Sequence, residues 1–445
     1  MTRKMKDSGI EWIGEIPEDW EIAKLKYTSD SHIPHSFEDG DWIESKYISE
    51  DGIRYLTTGN IGDGEYKEQG SGYVSEENFK LLNCKYAYSG DLILSRLNAP
   101  YGRSCILPKI FDNYVIAVDN VILRPSSQYD KKFINYITQC SGYQKSVEDS
   151  ASGTTMQRIS RTKLGNIPLA FPDVETQKII SIFLNKKTKQ IEYVKNTINK
   201  EIEDLESYKK SVITEAVTKG LDKNVEMKDS GIEWIGEIPK HWKISKIKQQ
   251  YKVTLGKMIQ TEKRTNNDTL ENYLSSINIK WGKVDTSVLK KMWFSKREKD
   301  IYSLNNGDIL ISEGGLAGTT SIYNNEFYPC YIQNAVNRVT SKENSINKFL
   351  FYWMYFVYHV GYIESICNKA TIQHYTKEKV ENTPLIYMSI EDQRLIVNYL
   401  DKKTKLIDDS ITAKQKQLEI LEEYKKSLIY EYVTGKKEVK DGEET

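Results

Sequence analysis

MKDSGIEWIGEIPEDW, residues 5–20, returns as MKDSGIEWIGEIPKHW at residues 227–242, altered only at Glu18/Lys240 and Asp19/His241. A second repeat follows each copy. Residues 175–218 align without a gap on 391–434, sharing KKTK at 186–189 and 402–405 and YKKS at 208–211 and 424–427. Between the repeats, residues 21–172 and 243–390 are largely dissimilar. A repeat of this kind decides the architecture before any single residue does, because each copy is one structural unit. Duplicated framing around two divergent interiors points to one scaffold that presents two different readers.

The second repeat is helical and long. No proline lies between Pro172 and Pro239 or after Pro384. Leu184, Ile191, Ile198, Leu205 and Val212 fall at strict sevens, and Leu400, Ile407, Leu421 and Leu428 keep that register, interrupted only at Lys414. A sustained seven-residue period specifies a left-handed supercoil with a partner helix. Gly220 and Gly435 are natural stops. The spacing predicts helices over 175–220 and 391–436, each on the order of 65 Å at about 1.5 Å per residue. A whole domain separates them, so antiparallel packing on each other is expected. The charged remainder, 437–445, reads as a disordered tail. In the first repeat Trp12, Ile13, Ile16 and Trp20, like Trp234, Ile235, Ile238 and Trp242, read as an anchoring plug, with turns set by Pro17 and Pro239.

Composition bounds the class. With 445 residues, 39% hydrophobic and 28% charged, the chain has room for two domains and a large polar surface. No apolar run approaches a membrane span, and the first residues lack a secretory core. Five scattered cysteines without a CxxC pair suit a reducing cytoplasm and argue against structural zinc. Net charge is zero, yet 227–390 carries 22 basic and 16 acidic side chains, and 80–171 carries 12 and 6. That surplus permits phosphate contacts without demanding them.

The interiors read as mixed α/β with many strands, an α+β arrangement. Residues 91–94 (DLIL) and 308–311 (DILI) are short apolar strands after glycine turns, and 114–123 and 328–339 read as strands or hairpins. Residues 133–139 and 348–366 have helical period, their aromatics facing the core. Both interiors close on related loops, 155–160 (TMQRIS) and 371–376 (TIQHYT), so they are divergent copies of one fold.

Each interior thus opens on G-I-E-W-I-G-E-I-P-x-x-W, closes in T-x-Q-x-[IY]-[ST] and P-L, and leads through Glu175-Thr176-Gln177 or Glu391-Asp392-Gln393 into a long helix. This order resembles the specificity subunit of type I restriction–modification systems, and the resemblance covers essentially the whole chain. It implies two target-recognition domains, 1–174 and 221–390, each reading half of a bipartite DNA site. It implies that the paired helices 175–220 and 391–436 space the halves and dock two methyltransferase subunits, which restriction subunits can join. S-adenosylmethionine would then be used by the methyltransferase partner, and ATP and Mg2+ by the restriction partner. Leu255-Gly256-Lys257-Met258 resembles an element common early in such domains; residues 31–36 (SHIPHS) offer no counterpart in the first.

No catalytic set is legible. Asn98-Ala99-Pro100-Tyr101 lacks one proline of an amino-methyltransferase motif, and the glycines at 59–64 follow no buried parallel strand. There is no Walker loop, and the five histidines form no metal constellation, so a non-catalytic subunit is expected. The residue types that meet base edges and phosphates nominate Arg96, Arg103, Thr155, Gln157, Arg158, Ser160, Arg161 and Lys163 in the first domain. In the second they nominate Lys257, Arg264, Thr371, Gln373, His374, Lys377 and Lys379. Lys186, Lys187, Tyr208, Lys402, Lys403 and Tyr424, repeated on the helices, are candidates for partner docking. The rival reading is a coiled-coil adaptor whose two domains bind proteins.

Overall fold

The computed structural model describes residues 3–70, 72–151, 157–367 and 374–440. The chain divides into two units, Met1–Ile198 with Lys416–Thr445, and Asn199–Gln415. The division falls within two long helices, Val174–Lys219 of 46 residues and Ile390–Val433 of 44. Both end where expected: Gly220 and Gly435 take positive φ, +77° and +71°, a conformation that L side chains rarely adopt.

In the first unit an antiparallel sheet runs in the order Phe37–Asp39, Asn120–Leu123, Leu92–Ser95, Ser104–Ile106. A second sheet, ordered Tyr73–Val74, Ile53–Leu56, Asn113–Ile116, Ala87–Tyr88, contains one parallel pair, Ile53–Leu56 on Asn113–Ile116. The second unit repeats the plan. Tyr251–Leu255, Val336–Ser341, Ile309–Ser312 and Thr320–Ile322 make one sheet. Lys290–Phe294, Thr269–Leu274 and Tyr331–Ile332 make the other, again with one parallel pair, Thr269–Leu274 on Tyr331–Ile332. The divergent interiors are one fold.

Residues 114–123 and 328–339 are neither single strands nor hairpins. Each breaks at a tight turn, closed by Asn120 N–H to Ala117 O and Val336 N–H to Gln333 O, both 2.9 Å, and its two halves join different sheets. Residues 348–366 likewise form two helices, Asn347–His359 and Tyr362–Ile366, hinged at Gly361 with φ +82°. Their aromatics, Trp353 and Phe349 among them, lie in the core.

Each interior is pinned to its long helix by a buried glutamine. Gln177 Nε2 donates to Gln128 O and Pro172 O while its Oε1 accepts Asp130 N–H. Gln393 does the same with Asn344 O, Met388 O and Ile346 N–H. A two-stranded pairing closes each domain just before the helix, Glu21–Lys24 with Pro168–Phe171 and Lys243–Lys246 with Pro384–Tyr387.

The seam residues face inward. In the first unit Leu184 and Ile191 share a core with Leu428, against which Leu421 packs, and Ile198 is buried. In the second, Val212 shares a core with Leu400; Ile407 is buried and Leu205 half-buried. Early residues of one helix meet late residues of the other, the antiparallel sense. Lys195 reaches Glu422 at 2.8 Å and Lys425 reaches Glu192 at 2.9 Å in the first unit. Lys209 reaches Asp408 at 2.7 Å and Lys414, the interruption, reaches Glu201 at 2.5 Å in the second.

The tryptophan repeats are plugs, as expected, and each seats on a helix end. Trp20 is fully buried and Tyr430 Oη donates to Trp12 O at 3.2 Å. A Cβ at Gly435 would fall 2.4 Å from Pro17 Cδ, and one at Gly220 would fall 3.2 Å from the Trp242 ring. The described part of the tail, 437–440, is not loose: Lys437 N–H donates to Glu431 O at 3.0 Å and Val439 packs on the first core, because the chain folds back beyond Gly435. Among the described residues no helix is long and apolar enough to cross a membrane.

Candidate nucleic-acid interface

One end of the fully antiparallel sheet of each unit gathers most of the nominated groups. In the first unit the chain leaves Phe37–Asp39 and crosses the 117–119 turn at Gly40. There Gly40 N–H donates to Asn120 O at 2.9 Å and Asp41 N–H to Ile116 O at 2.7 Å. A Cβ at Gly40 would lie 2.1 Å from Ile116 O, so only glycine fits this crossing. Asp41 is held inward by Lys85, whose backbone N–H and ammonium reach it at 2.7 and 3.1 Å. Trp42 then stands out, 74% exposed. On the other side of the turn Ile159 N–H donates to Arg96 O at 3.1 Å, laying 157–159 beside the strand end.

The charges here are paired. Arg158, 61% exposed, sits 3.6 Å from Asp119. Arg161 Nε lies 3.8 Å from Asp39, which Arg96 approaches at 3.1 Å from inside. Ser160 accepts Lys163 N–H at 3.2 Å, capping the short helix Arg161–Gly165, and Lys163 Nζ donates to Ser150 O at 3.0 Å. Gln157 is exposed and accepts the Tyr101 hydroxyl at 3.3 Å.

The second unit builds the same end with other side chains. Gly256 N–H donates to Val336 O at 3.0 Å and Lys257 N–H to Ile332 O at 2.9 Å; a Cβ at Gly256 would lie 2.3 Å from Gln333 O. Hence Asp39-Gly40-Asp41-Trp42 is the counterpart of Leu255-Gly256-Lys257-Met258, which corrects the expectation that the first domain has none. Beyond the inward Lys257, Met258 is 75% exposed. Across the turn, Tyr375 N–H donates to Glu313 O at 2.8 Å. Glu313 therefore occupies the station of Arg96. Burial pushes its carboxyl above the usual glutamate range, with the His374 charge opposing. Lys379 Nζ donates to His374 O at 2.9 Å, and Lys377 pairs with Glu381 at 3.6 Å.

Three nominated cations are corrected. Arg96 donates to Val118 O at 2.6 Å and Ile159 O at 3.3 Å, and is buried. Arg103 donates to the carbonyls of Thr58, Ile61 and Asn98 at 2.8, 2.6 and 2.6 Å, tying two loops together from within. Lys257 Nζ donates to Gln260 Oε1 and Trp293 O at 2.8 Å and meets Glu298 at 2.5 Å. Burying a charge requires such partners, and these aim all three cations into the fold rather than at a ligand. Arg264 is exposed, with its backbone N–H on Asp268 at 3.1 Å. Thr155, Thr371 and Gln373 lie outside the described residues.

Sequence reasoning missed Trp42, Met258 and the acidic members Asp39, Asp119 and Glu313. The usable signal was a glycine directly after a strand in each interior. On the helices Tyr208 and Tyr424 are half-exposed at equivalent stations, Lys186, Lys402 and Lys403 face outward, and Lys187 lies 5.5 Å from the Phe183 ring centre. Among the described residues no group of three histidines, cysteines or carboxylates could hold a metal ion.

Comparison with known proteins matches this architecture. The model of the type I restriction modification DNA specificity domain matches twice, over residues 17–204 and 239–420. A putative type I restriction enzyme specificity subunit, MjaX, of Methanocaldococcus jannaschii is 26% identical over 436 residues, covering 96% of each chain. The MjaVIII specificity subunit of the same organism is also 26% identical, over 451 residues, covering 96% of this chain and 95% of its own. A chain from a solved structure described as concerning complex assembly and conformational transition of the type I R-M system superposes with TM-score 0.71 at 14% identity, covering 94% of this chain and 98% of its own. The HsdS subunit of Thermoanaerobacter tengcongensis superposes with TM-score 0.51 at 13% identity over the same shares. With both repeats matched by one family model and the two interiors built on one plan, the chain belongs to the type I restriction modification DNA specificity family.

Proposed function

We propose that this chain is the specificity subunit of a type I restriction–modification complex, a non-catalytic, cytoplasmic protein that selects DNA for partner enzymes. Each sheet end reads one half of a bipartite double-stranded target. The observation that carries this reading is the equivalent station, one residue before the amide that bonds each strand end, filled by exposed Arg158 in one unit and by exposed His374 in the other. One frame with different polar side chains is what two half-sites of different sequence require, because base edges are distinguished by their donor and acceptor pattern. Arg158, Gln157 and Arg161 are the proposed contacts of the first domain, and His374, Lys377, Lys379 and Arg264 those of the second. Arg96, Arg103 and Lys257 act from inside by holding the turns.

Two methyltransferase subunits, using S-adenosylmethionine, dock on the repeated outer faces of the long helices around Lys186, Lys187, Tyr208, Lys402, Lys403 and Tyr424. Restriction subunits using ATP and Mg2+ join through them. The test is modification mapping by long-read sequencing in a host that expresses the chain with its methyltransferase subunit. The expected result is a two-part methylated motif with a fixed gap that disappears when this chain is removed. Chain-independent methylation by a demonstrably assembled complex would return the protein to the adaptor reading.

A further inference from the structure

Trp42 and Met258 stand at the same place in two domains whose interiors share little sequence. Each follows a glycine that crosses the turn between the two sheets within carbonyl contact, Gly40 or Gly256. Each then follows a charged residue drawn inward, Asp41 by Lys85 and Lys257 by Glu298. Each is therefore the first side chain of its turn that points away from the fold, and they are 74% and 75% exposed. A single exposed apolar side chain is ordinary. Recurrence at one rigidly held station in both units, with neither side chain contributing to a core, is not.

Hydrogen-bonded base reading does not account for them. A thioether is a weak acceptor and an indole a lone donor, so the two share no polar pattern. They share bulk, low polarity and a fixed backbone. We propose that Trp42 and Met258 are apolar wedges that enter the base stack of DNA, each opening one base step in the half-site met by its own domain. This rests on the function proposed above and adds a deformation step to it. Apolar side chains inserted between bases unstack and kink a duplex. Stacking on a base face tolerates sequence, since every base has one, so such a device can persist in both domains while the polar neighbours diverge. The two stations differ in charge: Trp42 lies among Glu38, Asp39, Asp41 and Glu44, with Arg161 paired to Asp39 at 3.8 Å, whereas Lys263 and Arg264 follow Met258.

The test uses the full chain assembled with its methyltransferase subunits, without S-adenosylmethionine. Its probes are duplexes of the mapped target carrying 2-aminopurine at one position at a time. The wild-type complex raises the fluorescence at one step in each half-site. Trp42→Ala abolishes the rise in one half-site only and weakens binding about tenfold or more, Met258→Ala does so in the other, and Trp42→Phe and Met258→Leu retain it. The half-site left intact in each alanine variant demonstrates that the complex is folded. A rise that survives both alanine substitutions belongs to the partner subunits and overturns the wedge. So does a loss of subunit assembly with DNA affinity unchanged, which would make these residues protein contacts. A wild-type complex that methylates its motif while both variants bind normally sinks the wedge alone. A wild-type complex without chain-dependent methylation takes the proposed function down with it.

Discussion

Arg158 and Arg96 lie at the same sheet end and carry the same charge, yet their substitution should fail in different ways. Arg158 is mostly exposed and shares only a 3.6 Å contact with Asp119. Arg158→Ala should leave thermal unfolding unchanged and relax the methylated motif at one position of one half-site, a loss of about 1–3 kcal/mol in discrimination. Arg96 is buried between Asp39 and two carbonyls. Arg96→Ala should lower the stability of the chain by roughly 1–3 kcal/mol, because the carbonyls of Val118 and Ile159 lose the donor that meets them inside the turn. Calorimetry and motif mapping on both variants separate the two roles. A motif change without destabilisation in Arg96→Ala would restore it to the reading surface. This distinction was not legible in the sequence. Both are arginines in polar loops, and which one turns inward depends on carbonyls such as Val118 O that only the folded turn brings near. Composition could nominate cations there but could not orient them.

At the level of the element, the paired helices were the most legible part of the chain, because a seven-residue period is a local property that survives any tertiary context. The ion pairs along the seam were not, since they join residues far apart in the chain. Hydrogen bonding by Lys195 holds Glu422 below the usual glutamate range against the opposing effect of burial. For Glu192 burial, which raises the value, is outweighed by Lys425 and Lys195. A carboxyl depressed in the folded state contributes stability above its ordinary value of 4.5, and that contribution disappears as the pH falls through the lower folded value. Thermal stability should therefore fall on acidification below about pH 4.5, and the double variant Glu192→Gln/Glu422→Gln should flatten that limb. An unchanged acid limb would assign it to other carboxylates. Lys414, half-buried in an otherwise apolar register, offers the opposite experiment. Lys414→Leu should stabilise the seam by about 1 kcal/mol through added apolar burial, read as a higher Tm. A lower Tm would mean that the Glu201 contact outweighs the hydrophobic gain.

At the scale of the molecule, the repeat disclosed the two-domain plan, and the strand turns that build each reading end came only with the fold. Residues 117–119 are part of an apolar run whose period is that of a strand, and nothing local marks the change of sheet. The first unit is also discontinuous in the chain, since residues 416–440 complete what residues 3–198 begin. The plug at Trp12–Trp20 receives Gly435 much as the plug ending at Trp242 receives Gly220. There the second connection is covalent, residues 221–226, and in the first it is only contact. A permuted chain that links Lys440 to Arg3 through a short flexible joint and opens between 221 and 226 should fold and direct its methyltransferase partner to the same motif, because rejoining at exposed surface sites is tolerated. Loss of the motif with soluble expression retained would show that covalent continuity at 221–226 matters to function.

The seating of Gly435 on Pro17 and Trp20 also sets a timetable. Domains ordinarily close in the order in which they leave the ribosome. Here the unit that contains residues 3–198 cannot seat its plug until the chain has been made as far as Gly435, whereas residues 199–415 are all present earlier. Every nascent chain therefore carries an open apolar socket at Ile16 and Trp20 until Gly435 has been made, and a chain halted at Gln415 keeps it open. Quality-control proteases should recognise such a product around Trp12–Trp20, although the fault lies beyond Gln415.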